Sequence, residues 1–288
     1  MKTATHCPNG TLYIVPTPIG NLEDITLRAI RILNEVDLIA AEDTRHTHKL
    51  LNHLNIQTPM VSYFREKEVQ RSAEIIDILK TGQNVALVCD AGTPAISDPG
   101  SVVVKSAHQN DIKVIPLPGP SALITALSAA GLGNAEFLFL GFLPSKKNQR
   151  RKSLNALIHS EYPVVLYESP HRISALLEDA FDILGERQAL WARELTKKFE
   201  ELQRADLQTL LEKSRSGKNK GEFVLVIWPG KKEKVTAESI EELIEWYRDN
   251  AELSLKDVSK RIATDLGISR SQVYQKALQL WHNPDKFE

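Results

Sequence analysis

The stretch VALVCDAGTPAISDPG, Val85 to Gly100, decides the fold of this chain. Its first five residues are apolar, which is typical of a strand buried on both faces of a parallel sheet. From Asp90 onward small residues, glycines and prolines follow, and these permit a positive φ or restrict φ. Open α/β sheets bind ligands in such loops at the carboxyl ends of their strands. We therefore predict a ligand site here rather than an ordinary strand-to-helix turn.

Strands and helices alternate on both sides of this stretch, which predicts an α/β fold with a mostly parallel first sheet. A second α/β unit begins near Phe137 and ends with the strand in GEFVLVIWPG, and Ile240–Leu280 has helical periodicity. The predicted organisation is a flexible leader (1–10), an N-terminal α/β domain (11–133), a C-terminal α/β domain (134–231) and a helical, helix-turn-helix-like domain (236–288).

Composition limits the class of protein. The 288 residues are 42% hydrophobic, enough for at least one full core, and the formal charge of −1 excludes a uniformly basic nucleic-acid coat. The sequence contains no apolar run of membrane-spanning length and no secretory signal, and its two cysteines favour a reducing compartment. We expect a cytoplasmic protein without a membrane segment.

Two further glycine–proline loops follow strands of the first unit, TPIGN (Thr17–Asn21) and PLPGPSA (Pro116–Ala122). Because loops at one edge of a sheet converge, the three loops predict one shared pocket. No GxGxxG follows a strand, and the chain has no GxxxxGK[ST] phosphate loop. The pocket therefore favours a nucleoside-like cofactor over a polyphosphate.

Seven motifs occur in one order between Thr11 and Trp228: TPIGNL, AEDTR, DAGTPAISDPG, PGPSA, FLGFLP, ESPHR and ARELTKKFEE. This series resembles the tetrapyrrole-methylase superfamily, and within it the branch that methylates small-subunit ribosomal RNA. The resemblance implies two α/β domains with S-adenosyl-L-methionine in the cleft between them, and a homodimer. It also implies methylation of the ribose 2′-hydroxyl of a cytidine in the decoding region of 16S rRNA, within the small ribosomal subunit.

The resemblance also implies which residues contact the cofactor: Pro18, Asp90, Gly92, Thr93, Pro94, Ile96, Ser97, Ser121, Ala122 and Tyr167. A carboxylate at Asp90 can accept hydrogen bonds from a ribose or an amine, although an Asx-turn is the alternative. Ser121 precedes a helix, where amides bind a carboxylate, but it is equally a plain N-cap.

Transfer of a methyl group to an alcohol requires a proton acceptor. Candidates follow strands, and the sequence does not decide among them: Glu42, Asp43, Glu168 and His171, with Glu194 and Lys197 as further possibilities. The alternatives are an internal ion pair of Glu42 or Asp43 with Arg45, a structural hydrogen bond of His171, and a surface pair of Glu194 with Lys197. His46, His48 and His53 lack the further ligands of a metal site, so no metal is predicted.

Local basic clusters predict RNA contact. Two stretches that we interpret as loops, PSKKNQRRK and KSRSGKNKG, and the two helices predicted in Ser254–Leu278 supply the candidates. These are Lys146, Lys147, Arg150, Arg151, Lys152, Lys218, Lys220, Arg270 and Lys276. Solvated charge runs, and a packing or dimerisation role for the helices, are the alternatives.

Three functions remain open at this point. The first is an RNA ribose 2′-O-methyltransferase, and the second is a methylase of a small tetrapyrrole-like metabolite. The third is a non-enzymatic RNA-binding ribosome factor without affinity for S-adenosylmethionine.

Overall fold

The apolar run at Val85 forms the middle strand of a parallel sheet. The computed structural model describes residues 9–133, 136–217, 219–230, 237–250 and 253–281. The sheet consists of β1 (Thr11–Ile14), β2 (Leu38–Ala41), β3 (Met60–Ser62), β4 (Val85–Val88) and β5 (Lys113–Pro116). Their order is β3-β2-β4-β1-β5, and every neighbouring pair is parallel. All four residues of β4 are buried, as expected for a strand covered on both faces.

Helices cover both faces of this first sheet. They are α1 (Leu27–Glu35), α2 (Thr44–His53), α3 (Glu68–Lys80), α4 (Ser101–Gln109) and α5 (Ala122–Ala130). Apolar residues of α1 and α2 pack on one face, and those of α3 and α4 pack on the other. The connection that leaves β1 and the one that leaves β4 run to opposite sides of the sheet, so the crevice between these strands is a topological switch point.

The second sheet is mixed. Its strands are β6 (Leu138–Phe142), β7 (Val164–Glu168), β8 (Gln188–Arg193), β9 (Glu201–Asp206) and β10 (Phe223–Ile227), in the order β6-β7-β10-β8-β9. Only β6 and β7 are parallel among these described pairs. One face packs on α6 (Lys147–Asn155), α7 (Ile173–Leu184) and α8 (Leu207–Ser216), and the other face packs on α5 of the first sheet.

Three local expectations were wrong. PSKKNQRRK is not a loop, because Lys147 begins helix α6, which buries Arg150 and Leu154 on its inner face. Strand β9 was not expected, since ELQRAD is mostly polar, and it lies at the sheet edge where alternate side chains face water. Gly10, assigned to the leader, is buried and donates its N–H to Leu79 O at 2.7 Å.

The chain divides into two compact units, 1–230 and 231–288. The second unit contains α9 (Ala237–Asn250), α10 (Leu255–Leu266) and α11 (Arg270–Trp281), packed around a core that includes Ile244 and Val258. Gly267 ends α10 with φ +63, which confirms the glycine turn between two helices. The α/β fold class is therefore confirmed, whereas the boundary at 133/134 between two α/β domains stays a prediction. None of the described helices has the length and apolarity needed to cross a membrane.

Candidate active site

Two of the three glycine–proline loops are joined at the switch point. Thr17 and Gly92 form an isolated antiparallel bridge in which each N–H donates to the other's carbonyl at 2.9 Å. Gly92 is buried with φ +84, a conformation that L side chains rarely adopt. The loops after β1 and β4 therefore hold each other in one fixed arrangement.

The third loop joins the same structure. The Thr93 hydroxyl donates to Pro120 O at 3.0 Å, and a Cβ on Gly119 would lie 2.7 Å from Cβ of Pro16. The expected convergence of the three loops is thus confirmed. Their backbones approach too closely for larger residues at the glycines, which explains the repeated Gly–Pro composition.

Aromatic residues of the second sheet face these loops. The Tyr167 hydroxyl accepts a hydrogen bond from the N–H of Leu123, in the first turn of α5, at 3.0 Å. Phe139 and Phe142 pack edge-on against the Tyr167 ring, with centroid distances of 5.0 and 5.6 Å. Burial raises the pKa of Tyr167 to about 12, so its hydroxyl stays protonated. Tyr167 therefore fixes the start of α5 relative to the second sheet.

The ARELTKK motif braces the TPIGN loop from below. Asn21 N–H donates to the Thr196 hydroxyl at 3.1 Å, and a Cβ on Gly20 would lie 2.3 Å from Cγ of Lys197. Lys197 Nζ in turn lies 2.8 Å from Glu194 Oε1. Burial raises the pKa of Glu194, but its bonds to Lys197 and to the Glu222 amide outweigh this and lower it. This pair positions a loop and is half-buried rather than a fully solvated surface pair.

Three carboxylates, Glu42, Asp90 and Asp98, form what we call the carboxylate cluster. Glu42 follows β2 and Asp90 follows β4, so parallel neighbours bring them together, and the Asp90 N–H donates to Glu42 Oε2 at 3.4 Å. Asp90 Oδ1 accepts the N–H of Asp43 at 3.1 Å. Burial and the charge of Asp98 raise the pKa of Glu42, and burial likewise raises the pKa of Asp98. Arg65 is a cation that opposes both shifts.

Asp98 is the member of this cluster that the sequence reasoning missed. It lies in the same loop as Asp90, and the signal was the SDPG turn, in which Gly100 has φ +142. A Cβ on Gly100 would lie 2.7 Å from Leu87 Cδ2, so the turn is folded tightly onto the sheet. This folding aims residues 96–98 at the second sheet.

Residues 96–98 line a cavity of 430 Å³, which we call the inter-sheet cavity. Its lining consists of Arg65, Ile96, Ser97 and Asp98 on one side and Phe139, Leu140, Gly141 and Phe142 on the other. Arg65 closes one end by donating to Ser97 O at 2.8 Å. A more open depression of 620 Å³ runs along α4, and none of the three carboxylates lines it.

The expected cofactor contacts occupy different depths around the switch point. Gly92 and Pro94 are buried, Ile96 is exposed, and the others are half-buried, namely Pro18, Asp90, Thr93, Ser97, Ser121, Ala122 and Tyr167. Ser121 takes the N-cap position of α5 with extended backbone, but its side chain makes no capping hydrogen bond. Both alternatives for Ser121 thus remain, and its role in ligand binding stays a prediction.

Of the four proton-acceptor candidates, the structure brings only Glu42 into the carboxylate cluster. Asp43 caps α2 and binds Arg45, which lowers the pKa of its carboxyl to about 2. Glu168 points away from Tyr167 along β7 and is buried, 3.2 Å from the Arg172 guanidinium. Burial raises the pKa of Glu168. His171 is exposed in the turn after β7.

The basic candidates for RNA contact separate into two groups. Lys146, Lys147, Lys152, Lys220 and Arg270 are exposed, whereas Lys276 is half-buried and pairs with Glu241 at 2.8 Å. Lys218 lies outside the described residues.

Arg150 and Arg151 are used inside the fold. Arg150 is buried with its guanidinium 2.7 Å from Asp179 Oδ2, and Arg151 binds Asp179 Oδ1 at 2.8 Å. Their charges are therefore largely neutralised, which argues against a role as primary RNA contacts. Within the described residues, no group of three or more His, Cys, Asp or Glu side chains is arranged to hold a metal ion.

Comparison with known proteins adds three kinds of likeness. Residues 11–211 match the family model described as Tetrapyrrole (Corrin/Porphyrin) Methylases. The chain is 46% identical over 271 residues to "Ribosomal RNA small subunit methyltransferase I" of Halalkalibacterium halodurans, covering 92% of this chain and 93% of that protein. It is 44% identical to the protein of the same name from Escherichia coli O157:H7, covering 94% and 95%.

Solved structures share the fold at low identity. The methyltransferase CobJ superposes with a TM-score of 0.59 at 16% identity, covering 77% of this chain and 95% of that one. Uroporphyrin-III C-methyltransferase from Thermus thermophilus, complexed with S-adenosyl homocysteine, superposes with a TM-score of 0.55 at 18% identity, covering 76% and 97%.

Proposed function

Because the chain belongs to the tetrapyrrole methylase family, we propose that it is an S-adenosylmethionine-dependent methyltransferase acting on the ribose 2′-hydroxyl of a cytidine in 16S rRNA. The observation that carries this is the likeness over more than nine-tenths of the chain to relatives named as small-subunit rRNA methyltransferases. The loops joined at the switch point supply the physical basis for a bound nucleoside-like cofactor.

The residues around the switch point fit S-adenosylmethionine. Its methionine carboxylate suits the amides at the start of α5, where the Ser121 side chain makes no cap and the helix dipole favours an anion. Its ribose hydroxyls and amino group suit the acceptor oxygens of Asp90. The apolar surroundings of Ile19 and Ala91 suit the adenine ring.

In this reaction the chain binds, orients and excludes water. The bound cofactor would supply a methyl group on a positively charged sulfur. The carboxylate cluster provides negative charge beside that position, and the loops held by Thr17, Gly92 and Thr93 keep the reacting atoms aligned without a large reorganisation. Tyr167 keeps its proton and positions the start of α5.

The proposed substrate is the RNA of the small ribosomal subunit, in the cytoplasm. Exposed Lys146, Lys147 and Lys152 at and near the start of α6 support phosphate contact. Reversal of these three charges should weaken methylation tenfold or more at 150 mM salt and leave cofactor affinity unchanged. We retain the homodimer as part of the proposal, on the basis of the family resemblance.

The direct test uses small ribosomal subunits from cells that lack this protein. They are incubated with the protein and S-adenosylmethionine tritiated in its methyl group, and the RNA is digested to nucleosides. We expect the label in 2′-O-methylcytidine. Label on a base would refute the ribose assignment, turnover of a tetrapyrrole without RNA would favour the metabolite methylase, and RNA binding without label would favour a non-enzymatic factor.

A further inference from the structure

The inter-sheet cavity combines an exposed aromatic ring with a half-buried carboxylate. Phe142 contributes the ring, Asp98 contributes the carboxylate, and Arg65 adds a positive charge at the cavity wall. Its volume of 430 Å³ falls within the range of pockets that take small organic ligands. The cavity is thus large enough for a single extruded nucleoside.

A β-bulge places Phe142 at this position. The pairing of β6 with β7 shifts between Phe139 and Gly141, so that Phe142 lies opposite Tyr167 while Phe139 lies opposite Val165. Both phenylalanines therefore face the same side of the sheet despite their odd spacing. Phe142 packs on Tyr167 but still exposes 55% of its surface, which is unusual for a side chain in an aromatic cluster. Such rings are the surfaces on which proteins stack unpaired nucleobases.

Asp98 is the carboxylate of the cluster that lines this cavity. Glu42 and Asp90 are not part of the lining, and each accepts a backbone N–H, from Asp90 and Asp43 respectively. Charged or titratable groups face Asp98 from every surrounding element, namely Arg65, Glu42, Cys89, Asp90, Tyr167 and Glu222. Burial keeps the Cys89 thiol and the Tyr167 hydroxyl protonated. Neither is therefore a proton acceptor at neutral pH.

We propose that the inter-sheet cavity is the acceptor-nucleoside subsite, in which the base of the target nucleotide stacks on Phe142 and Asp98 accepts the 2′-hydroxyl proton. This inference rests on the proposed function. The 2′-oxygen forms a bond to the methyl carbon while the methyl–sulfur bond breaks, and that electron pair stays on sulfur. The O–H proton passes to a carboxylate oxygen of Asp98 and from there to water, so charge and atoms balance. The target nucleotide must leave its stack to enter, as in other enzymes that modify single nucleotides.

The first test replaces the carboxylate by its amide, Asp98→Asn. Loss of a general base lowers the rate by about 100-fold to 10,000-fold, so we expect kcat on small ribosomal subunits to fall in that range. Affinity for S-adenosylmethionine, measured by calorimetry, should stay within threefold of the wild type. The rate of the variant should rise log-linearly with pH because hydroxide then removes the proton, whereas the wild type should reach a plateau.

Two results would overturn the role of Asp98. One is a kcat within threefold of the wild type with the same pH profile, and the other is a parallel loss of cofactor affinity, which would make Asp98 a cofactor contact. An inactive wild type would instead refute the proposed function itself. The two failures are therefore distinguishable.

The second test concerns the stacking surface and needs no catalysis. Phe142→Ala is compared with Leu138→Ala, an exposed apolar position on the same strand that does not line the cavity. The readout is fluorescence anisotropy with a labelled RNA hairpin that contains the mapped cytidine. Stacking on one ring corresponds to about 5-fold to 150-fold in affinity, so Phe142→Ala should lose at least fivefold and Leu138→Ala less than twofold. Phe142→Trp should restore binding. Equal affinities of the two alanine variants would overturn the stacking role.

Discussion

Asp179 and the carboxylate cluster are both withdrawn from water, but their charges are balanced in opposite ways. Asp179 is 1% exposed and binds two guanidinium groups, of Arg150 and Arg151. Burial raises the pKa of Asp179, and the two arginines outweigh this and lower it. In the cluster, burial and mutual repulsion raise the pKa values of Glu42 and Asp98 against the weaker effect of Arg65.

The difference separates a charge that serves stability from charges that serve function. A buried carboxylate with two cationic partners fixes α6 against α7 and has no acceptor capacity to spare. Three carboxylates sharing one nearby arginine cost stability, and strained electrostatics of this kind concentrate at functional sites. The same contrast explains why a basic stretch that resembles an RNA-binding run partly serves the core.

The largest expected effect comes from breaking the paired region. Arg150→Met leaves the Asp179 carboxylate buried with one partner, and breaking a buried ion pair costs about 3–5 kcal/mol. We expect a loss near the lower figure, because Arg151 remains. Urea denaturation measures it through the midpoint at constant slope.

A double variant, Arg150→Met with Asp179→Leu, is the control for that experiment. Replacing a buried ion pair by apolar side chains is often neutral, so the double variant should recover most of the loss. A single variant within 1 kcal/mol of the wild type would show that the pair does not hold α6.

The next effect contrasts the same chemical change in the two regions. Asp179→Asn should destabilise the protein, whereas Asp98→Asn should stabilise it by about 1 kcal/mol or less at pH 7.5, since Asp98 is partly exposed to solvent. Because the folded pKa of Asp98 is raised, stability falls as pH rises from the ordinary aspartate range through that pKa. The gain from Asp98→Asn should therefore disappear on acidification. Thermal melts from pH 4 to pH 8 measure both variants, and a lower melting temperature for Asp98→Asn at pH 7.5 would contradict the contrast.

Asp179 has the opposite sign. Its folded pKa is lowered, so its stabilising contribution is present above the ordinary aspartate pKa and is lost as pH falls through the folded value. The difference between the wild type and Asp179→Asn should shrink toward low pH in the same melts. A constant difference at every pH would mean that packing rather than charge holds this site.

A smaller effect concerns the loops beside the cluster. Thr93→Val removes the hydrogen bond to Pro120 O, which should cost about 1 kcal/mol and loosen the junction of two loops. Calorimetric titration should show weaker S-adenosylmethionine binding, with Thr81→Val, an exposed threonine at the end of α3, as the control. Equal affinities in all three proteins would show that this bond does not shape the site.

The smallest effect is expected at a solvent-exposed pair. Arg31 and Glu35 lie 2.7 Å apart on the outer face of α1, and both side chains are more than half exposed. Glu35→Gln should change the free energy of unfolding by less than about 0.5 kcal/mol. A larger change would mean that burial does not separate strong pairs from weak ones in this protein.

The sequence predicted the first sheet well because its strands are short apolar runs that end in glycine and proline. The convergence of the loops at Thr17, Gly92 and Thr93 also followed from strand order alone. Strand β9 and helix α6 were missed because a polar edge strand and a lysine-rich amphipathic helix carry weak periodic signals. The placement of Arg150 depended on Asp179, 29 residues away, and no local pattern encodes such a pairing.

The acidic cluster was only half predictable for the same reason. Glu42 and Asp90 follow adjacent parallel strands, so their proximity could be expected from the fold. Asp98 reaches the cavity only because the turn at Gly100 folds back onto β4, and Phe142 reaches it only through the β6 bulge. Both depend on tertiary geometry.

The most direct test of the central claim, that the cofactor binds at the switch point, is calorimetric titration of S-adenosylmethionine into Asp90→Ala. A hydrogen bond to a charged group corresponds to about 10-fold to 100-fold in affinity. We expect a loss in that range while the protein stays folded by circular dichroism, and no change for Asp77→Ala, an exposed aspartate on α3. An unchanged affinity in Asp90→Ala would contradict the claim.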